Sequence, residues 1–99
     1  MVHQLKIKRP YFMDILYNRK RFEVRFNDRN YQVGDFLGLN EVDEDNKETG
    51  HCEIVRVLDV FDDPEYCKPG YVIMSIEPTE IYSCIKDYRT KKGEFDEGL

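Results

Sequence analysis

Residues 20–26 read Lys-Arg-Phe-Glu-Val-Arg-Phe, and from Arg21 onward charged and apolar side chains alternate strictly. Successive side chains of a strand point to opposite faces, so this pattern predicts a β-strand with three apolar side chains on one face. Arg21, Glu23 and Arg25 then share the other face. Because the two faces of this strand differ chemically, it determines which side of the surrounding sheet is charged and which is apolar.

Patterns on either side of this strand predict further strands and a helix. Further strands are predicted over residues 3–8, 35–42, 51–61 and 71–76, with turns over 27–30, 33–35 and 68–71. Pro10 suits the first turn of a helix that would run to about Arg19. After Pro78 the apolar spacing becomes helical, which predicts a short C-terminal helix from about Thr79 to Arg89. These elements favour an α+β, mainly β fold, a small mixed and mostly antiparallel barrel of five or six strands.

The size of the chain bounds its organisation and location. With 99 residues, 40% hydrophobic and 13% aromatic, the chain has enough apolar material for one modest core. We expect a domain over residues 1–78 and an extension over 79–99, a short helix followed by a frayed tail. No apolar run approaches the ~20 residues of a membrane helix, and residues 1–10 contain no apolar leader. We therefore expect a cytoplasmic protein without a membrane partner.

The charge is unevenly distributed along the chain. Residues 1–29 carry eight Lys or Arg against three acids, whereas residues 30–99 carry seven against 17, for a total of −5. An acidic chain is a poor general binder of duplex nucleic acid, because phosphate neutralisation supplies most of that affinity. A local basic cleft that admits one or a few nucleotides stays compatible with this distribution.

The cysteines and histidines show no metal-ligand spacing. Cys52, Cys67 and Cys84 are separated by 14 and 16 residues, and His3 and His51 are isolated. A zinc site built from the three thiols and a histidine is conceivable. The spacing favours instead buried or half-buried thiols, and we expect no disulfide, no metal and no cofactor.

Five short segments together resemble the ASCH superfamily, whose members are small proteins of the PUA-like barrel class. The segments are residues 3–7 (HQLKI), 20–25 (KRFEVR), 27–29 (NDR), 33–35 (VGD) and 70–76 (GYVIMSI). They are most similar to a small bacterial and phage family of that superfamily without an assigned function. The resemblance implies a PUA-like barrel, and it does not extend to the residues after Pro78.

One position departs from the family pattern. The motif Gly-x-Lys-x-x-Glu-x-Arg has Asn18 in place of its leading glycine. Asparagine tolerates the left-handed backbone conformation that a glycine would serve, so we expect the turn to survive the replacement.

The resemblance also implies a site, namely a cleft beside the helix lined by Lys20, Glu23 and Arg25. Further candidate residues of this ligand-binding site are Asn27, Asp28, Arg29, His3 and Lys6. Members of the superfamily are widely thought to bind RNA or nucleotides, and a few cut RNA or deacylate a modified cytidine. The resemblance therefore implies RNA or a nucleotide as the partner.

The chemistry of the motif is compatible with this implication. The planar fork of Arg25 suits a phosphate or a base edge, Glu23 can accept from an exocyclic amine, and Lys20 supplies a point charge. We expect Arg25 to be held by Glu23 or Asp28 without ligand. The plain alternative is a Glu–Arg pair on a solvated strand face.

Two other functions stay open. A small hydrolase acting on a modified nucleoside or RNA could use Lys20 and Glu23 as an acid–base pair. The deacylating relatives have a threonine three residues after the lysine, where this chain has Glu23, so no nucleophile is assigned. A protein-interaction module could instead use the acidic residues 41–65. A binding module should show a positive pocket, and an interaction module an exposed apolar patch and no pocket.

Overall fold

Five strands and one helix make up the part of the chain that the computed structural model describes, residues 1–79. The elements are β1 (Val2–Lys8), α1 (Arg9–Leu16), β2 (Phe22–Phe26), β3 (Phe36–Val42), β4 (Glu48–Phe61) and β5 (Tyr71–Pro78). The strands form a single sheet in the order β1-β3-β4-β5-β2. The predicted α+β, mainly β class with a helix after the first strand is confirmed.

The sheet is mixed and mostly antiparallel, as predicted. β1 runs parallel to β3, and the other three neighbouring pairs are antiparallel. The sheet curls into a half-barrel that brings its two outermost strands, β1 and β2, towards each other. Across the opening, Arg25 Nη2 of β2 donates to Lys6 O of β1 at 2.9 Å. Side chains rather than a strand ladder therefore bridge this gap.

The hydrophobic core fills the concave side of the half-barrel. Leu5 and Ile7 of β1 point inward because their strand alternates strictly between buried and exposed residues. Phe12 and Ile15 of α1 cover them from the helix that follows β1. The strands β3, β4 and β5 contribute the remaining core side chains, which include Leu37, Leu39, Val55, Val57, Val72 and Met74. The core thus lies between the curled sheet and the short helix.

The helix ends three residues earlier than the sequence predicted. It begins at Arg9 with Pro10 in its first turn and ends at Leu16 rather than near Arg19. Asn18 adopts a left-handed conformation with φ 64°, which confirms the expected turn and stops the helix. The backbone N–H groups of Arg19 and Lys20 then both donate to Asp14 O, which directs the chain into β2.

An ordinary amphipathic strand buries its apolar face and exposes its charged face, but β2 shows the reverse arrangement. Glu23 is only 3% exposed, whereas Phe22, Val24 and Phe26 are 47%, 50% and 54% exposed. The alternation predicted from the sequence is therefore correct, but the charged face points into the half-barrel. The plain alternative, a Glu–Arg pair on a solvated strand face, is wrong.

Two glycines have the roles that their positions suggested. A Cβ atom on Gly38 would lie 2.6 Å from Gln4 Oε1, so the glycine permits a close approach between β3 and β1. Gly70 has φ +82°, and Tyr71 N donates to Lys68 O at 2.9 Å, as expected for the predicted turn. β4 begins at Glu48, three residues earlier than predicted, because Glu48 pairs with Val42 beyond an irregularity in the ladder.

The C-terminal predictions lie outside the described residues, apart from Thr79. They are the short helix from about Thr79 to Arg89 and the frayed end of the extension over 79–99. Within residues 1–79, no helix has the length and apolar character needed to span a bilayer.

Candidate anion-binding cleft

A cleft of about 460 Å³ lies at the opening of the half-barrel, between β1 and β2. The strand edges and the start of α1 form its walls. Its lining consists of Lys6, Ile7, Lys8, Tyr11, Lys20, Phe22, Glu23, Val24 and Arg25. Four of the predicted site residues, Lys6, Lys20, Glu23 and Arg25, therefore meet in one place.

Glu23 is the anchor of this cleft. Its Oε2 accepts a hydrogen bond from Lys20 Nζ at 2.5 Å, and its Oε1 accepts one from Arg25 Nε at 2.9 Å. Lys20 Nζ also donates to Phe22 O at 2.5 Å. A buried carboxylate requires such partners, because an unpaired buried charge is costly. The expected Glu23–Arg25 contact is confirmed, and both cations are held in place without ligand.

The lining is positive although the protein is acidic. Four cations, Lys6, Lys8, Lys20 and Arg25, stand against one carboxylate, which gives a formal net charge of +3. The whole chain carries −5. Because clefts with one sign of charge and low-dielectric walls focus the electric field, an anion is the ligand that this site favours.

Two aromatic rings stand beside the cationic groups. Lys20 Nζ lies 4.8 Å from the ring centroid of Phe22 and 5.9 Å from that of Tyr11. The Tyr11 side chain is also accessible, with 52% of its surface exposed. Exposed rings next to cations are the features with which proteins hold flat, anionic molecules.

A second hollow of about 350 Å³ adjoins the first. It is lined by Gln4, Leu5, Lys6, Arg25, Arg29, Asn40 and Glu48. Lys6 and Arg25 line both hollows, so the two share a wall. Arg29 Nη1 donates to Gln4 O at 2.9 Å, which fixes the predicted site residue Arg29 in this second hollow.

The other predicted site residues lie beside the two hollows rather than in their linings. Asn27 Oδ1 accepts from Tyr31 N at 3.0 Å and so braces the turn after β2. Asp28 is exposed in that same turn. His3 is buried, where its Nε2 lies 2.8 Å from Asp35 Oδ2 and its ring meets the edge of Tyr31 at 4.9 Å. His3 and Asn27 thus stabilise the segments next to the two hollows and do not line them.

Two groups under the site have shifted pKa values. Burial raises the pKa of Tyr31, although the charges of Arg25 and Arg29 nearby oppose the increase. For Asp35, burial also acts to raise the pKa, but hydrogen bonds from His3 and from Gln32 N outweigh it and leave the pKa below 3.8.

Sequence reasoning missed a second buried carboxylate, Glu41. Its Oε1 accepts from Thr49 Oγ1 at 2.6 Å and lies 3.1 Å from His51 Nδ1, and its Oε2 lies 3.4 Å from Arg9 Nε. These residues come from three elements, and only the β3–β4 pairing brings Glu41 to Thr49. Nothing in their sequence spacing signals the cluster.

The thiols and metal-ligating residues give no second site in the described chain. Cys52 and Cys67 are both buried and free of disulfides. Over residues 1–79, no group of three His, Cys, Asp or Glu side chains is arranged to hold a metal ion.

The outer face of the sheet is apolar near β2. Val24 lies opposite Ile73 and Phe26 opposite Tyr71, and Phe61 on β4 continues the row from Ile73. Phe26 and Tyr71 meet edge to face at 5.4 Å. The described residues therefore show a positive pocket together with an exposed apolar patch, which is not the combination, a patch without a pocket, that was expected of an interaction module.

Fold and site define a small α+β protein, a curled half-barrel with a basic cleft at its opening. The chain belongs to the family described as "Domain of unknown function (DUF3850)", which it matches over residues 2–76. It is similar to the "Uncharacterized 12.9 kDa protein in GpA 3'region" of Escherichia phage P2, with 36% identity over 73 residues. That match covers 74% of this chain and 65% of the phage protein, slightly less than two thirds of its length.

Proposed function

We propose that this protein binds an RNA segment or a nucleotide in the cleft between β1 and β2. The observation that carries the proposal is a cleft with a formal charge of +3 in which two of the four cations, Lys20 and Arg25, are already fixed by one buried carboxylate. A site arranged before binding loses less conformational entropy when the ligand arrives. The resemblance to the ASCH superfamily supports the same class of ligand.

The contacts assign a role to each residue of the motif. Arg25 uses its Nε for Glu23 and its Nη2 for Lys6 O, and a guanidinium has further N–H groups for a phosphate or a base edge. Lys20 contributes a second positive charge. Both oxygens of Glu23 already accept from these cations, so Glu23 positions them rather than accepting from a base amine.

The aromatic side chains suit the other half of the ligand. A base can stack on Tyr11, which is exposed beside Lys20, while its phosphate lies against the cations. Phe22 offers a second ring, whose centroid lies 4.8 Å from the same ammonium group. A molecule with one flat ring and one negative group thus matches the cleft better than a simple anion does.

The hydrolase alternative receives less support. Among residues 1–79, the side chains that line this cleft include no Ser, Thr or Cys. Glu23, the carboxylate that could act as a base, is hydrogen-bonded through both oxygens. Binding without turnover is therefore the function that we propose.

A titration of short single-stranded RNAs and mononucleotides tests the proposal. We expect wild type to bind below millimolar concentration and Arg25→Lys to bind about tenfold more weakly or worse, because a lost bidentate contact is worth about 1–3 kcal/mol. Arg56→Lys is the matched control, since Arg56 pairs with Glu77 away from the cleft. No binding by wild type, or equal binding by Arg25→Lys, contradicts the proposal.

A further inference from the structure

We infer that the ligand is a single-stranded oligonucleotide of which two consecutive phosphates are held, one by Arg25 and the next by Arg29. This inference rests on the proposed function and narrows it. It also gives a role to the second hollow, which lies outside the cleft that the family motif implies.

The backbone of β1 sets the distance between the two guanidinium groups. Arg25 Nη2 donates to Lys6 O and Arg29 Nη1 donates to Gln4 O, each at 2.9 Å. Gln4 and Lys6 are two residues apart in one strand, so their carbonyl groups point the same way and lie about 6.6 Å apart. Two positive groups are thus held in register along the edge of β1 that does not pair with β3.

That spacing distinguishes between classes of phosphate ligand. Successive phosphates along an extended single strand are separated by a whole sugar and lie at a comparable distance. The two phosphates of a nucleoside diphosphate share one oxygen and lie much closer together, so they match the carbonyl spacing less well than two successive phosphates of a strand. The arginine pair therefore favours a chain of nucleotides over a mononucleotide with several phosphates.

The two hollows offer room for such a chain. Lys6 and Arg25 form the wall shared by the hollow of about 460 Å³ and that of about 350 Å³. The second hollow is also positive, with Lys6, Arg25 and Arg29 against Glu48, a formal charge of +2. A ligand that leaves the first hollow past Arg25 therefore continues over positive surface.

Buried contacts hold the turn that carries Arg29. Tyr31 is buried, and its backbone N–H donates to Asn27 Oδ1 at 3.0 Å. Its ring packs against His3, which bonds Asp35. Asn27 and His3 thus become positioning residues for the turn that carries Arg29.

The experiment compares three uridine probes, which are UMP, UDP and the dinucleotide pUpU. We expect wild type to bind pUpU at least tenfold more tightly than UMP, and UDP within about threefold of UMP. Arg29→Ala should remove the advantage of pUpU and leave UMP binding unchanged within twofold. Arg25→Ala should weaken the binding of all three probes.

Two variants separate this role from a purely structural one. Arg29→Gln keeps an amide N–H donor on a shorter side chain but removes the charge, so it should fold like wild type and still lose the pUpU advantage. Arg56→Ala, on the outer face, should retain that advantage. A loss of stability in Arg29→Ala that Arg29→Gln restores together with pUpU binding would show that Arg29 is only a structural bridge, and would overturn the inference.

Two further outcomes separate a failure of this inference from a failure of the proposed function. If UMP binds wild type but pUpU has no advantage over UMP, or UDP equals pUpU, the two-phosphate inference is wrong and the proposed function stands. If none of the probes, nor a longer single-stranded RNA, binds wild type, the proposed function itself fails.

Discussion

At the scale of single residues, Glu23 determines how the site is built. It is buried to 3% exposure in a strand whose apolar side chains are about half exposed. Because burying a charge is costly, its carboxylate is shared by Lys20 and Arg25 rather than balanced by one of them. The two cations are partly exposed, so they can still reach a ligand.

We expect the losses at Lys20 and Arg25 to be strongly non-additive. Lys20→Met or Arg25→Met leaves Glu23 with one partner and should cost about 1–2 kcal/mol of unfolding free energy. The double variant leaves the carboxylate without either cation and should cost about 1–3 kcal/mol more than the sum of the two single losses. Urea unfolding at pH 7 measures all three values, with Lys68→Met in the exposed turn as control. A double effect equal to the sum of the two would contradict the shared role.

At the scale of elements, β2 shows that alternation defines two faces but not which of them is buried. It is an outermost strand of the sheet and pairs only with β5. Its inward positions face the opening of the half-barrel, where charged groups can meet solvent and one another. Its outward positions join the apolar face formed with Ile73 and Tyr71.

Paired valine substitutions test this orientation. Val24→Ala, on the outer face at 50% exposure, should change the unfolding free energy by less than about 1 kcal/mol. Val72→Ala, on the adjacent strand at 2% exposure, should cost about 2 kcal/mol, because it removes buried methyl groups from the core. Thermal and urea unfolding give both values. A larger loss for Val24→Ala than for Val72→Ala would mean that β2 is turned the other way.

At the scale of the whole molecule, Asp35 joins distant parts of the chain. Its Oδ2 accepts a hydrogen bond from Gln32 N at 3.0 Å just before β3, and the same oxygen lies 2.8 Å from His3 Nε2 of β1. This contact helps to hold the parallel β1–β3 pair, which is separated in sequence by the helix and β2. The pKa of Asp35 is lowered because these hydrogen bonds favour its charged form despite burial.

The lowered pKa predicts an acid-sensitive fold. A carboxyl whose pKa is lower in the folded state stabilises the fold above its unfolded pKa, near 3.8, and loses this contribution as the pH falls through the folded value. Asp35→Asn should be less stable than wild type at pH 6, and the difference should shrink as the pH falls from about 4 to 2. Unfolding curves across this range measure the difference. A difference that grows at low pH would contradict the assignment.

The sequence by itself determined the approximate strand positions, the turn at Pro69 and Gly70 and the shared face of Glu23 and Arg25, whereas the family resemblance implied the turn at Asn18 and the place of Lys20 beside them. These features depend on local backbone preference and on the two-residue period of a strand, which are visible in a short stretch of chain. The inward direction of Glu23, the burial of His3 against Asp35, the Glu41 cluster and the arginine spacing along β1 were decided only by the tertiary structure. Each depends on which strands become neighbours across the curled sheet, and that pairing joins residues as distant in sequence as Phe22 and Ser75, which are 53 positions apart.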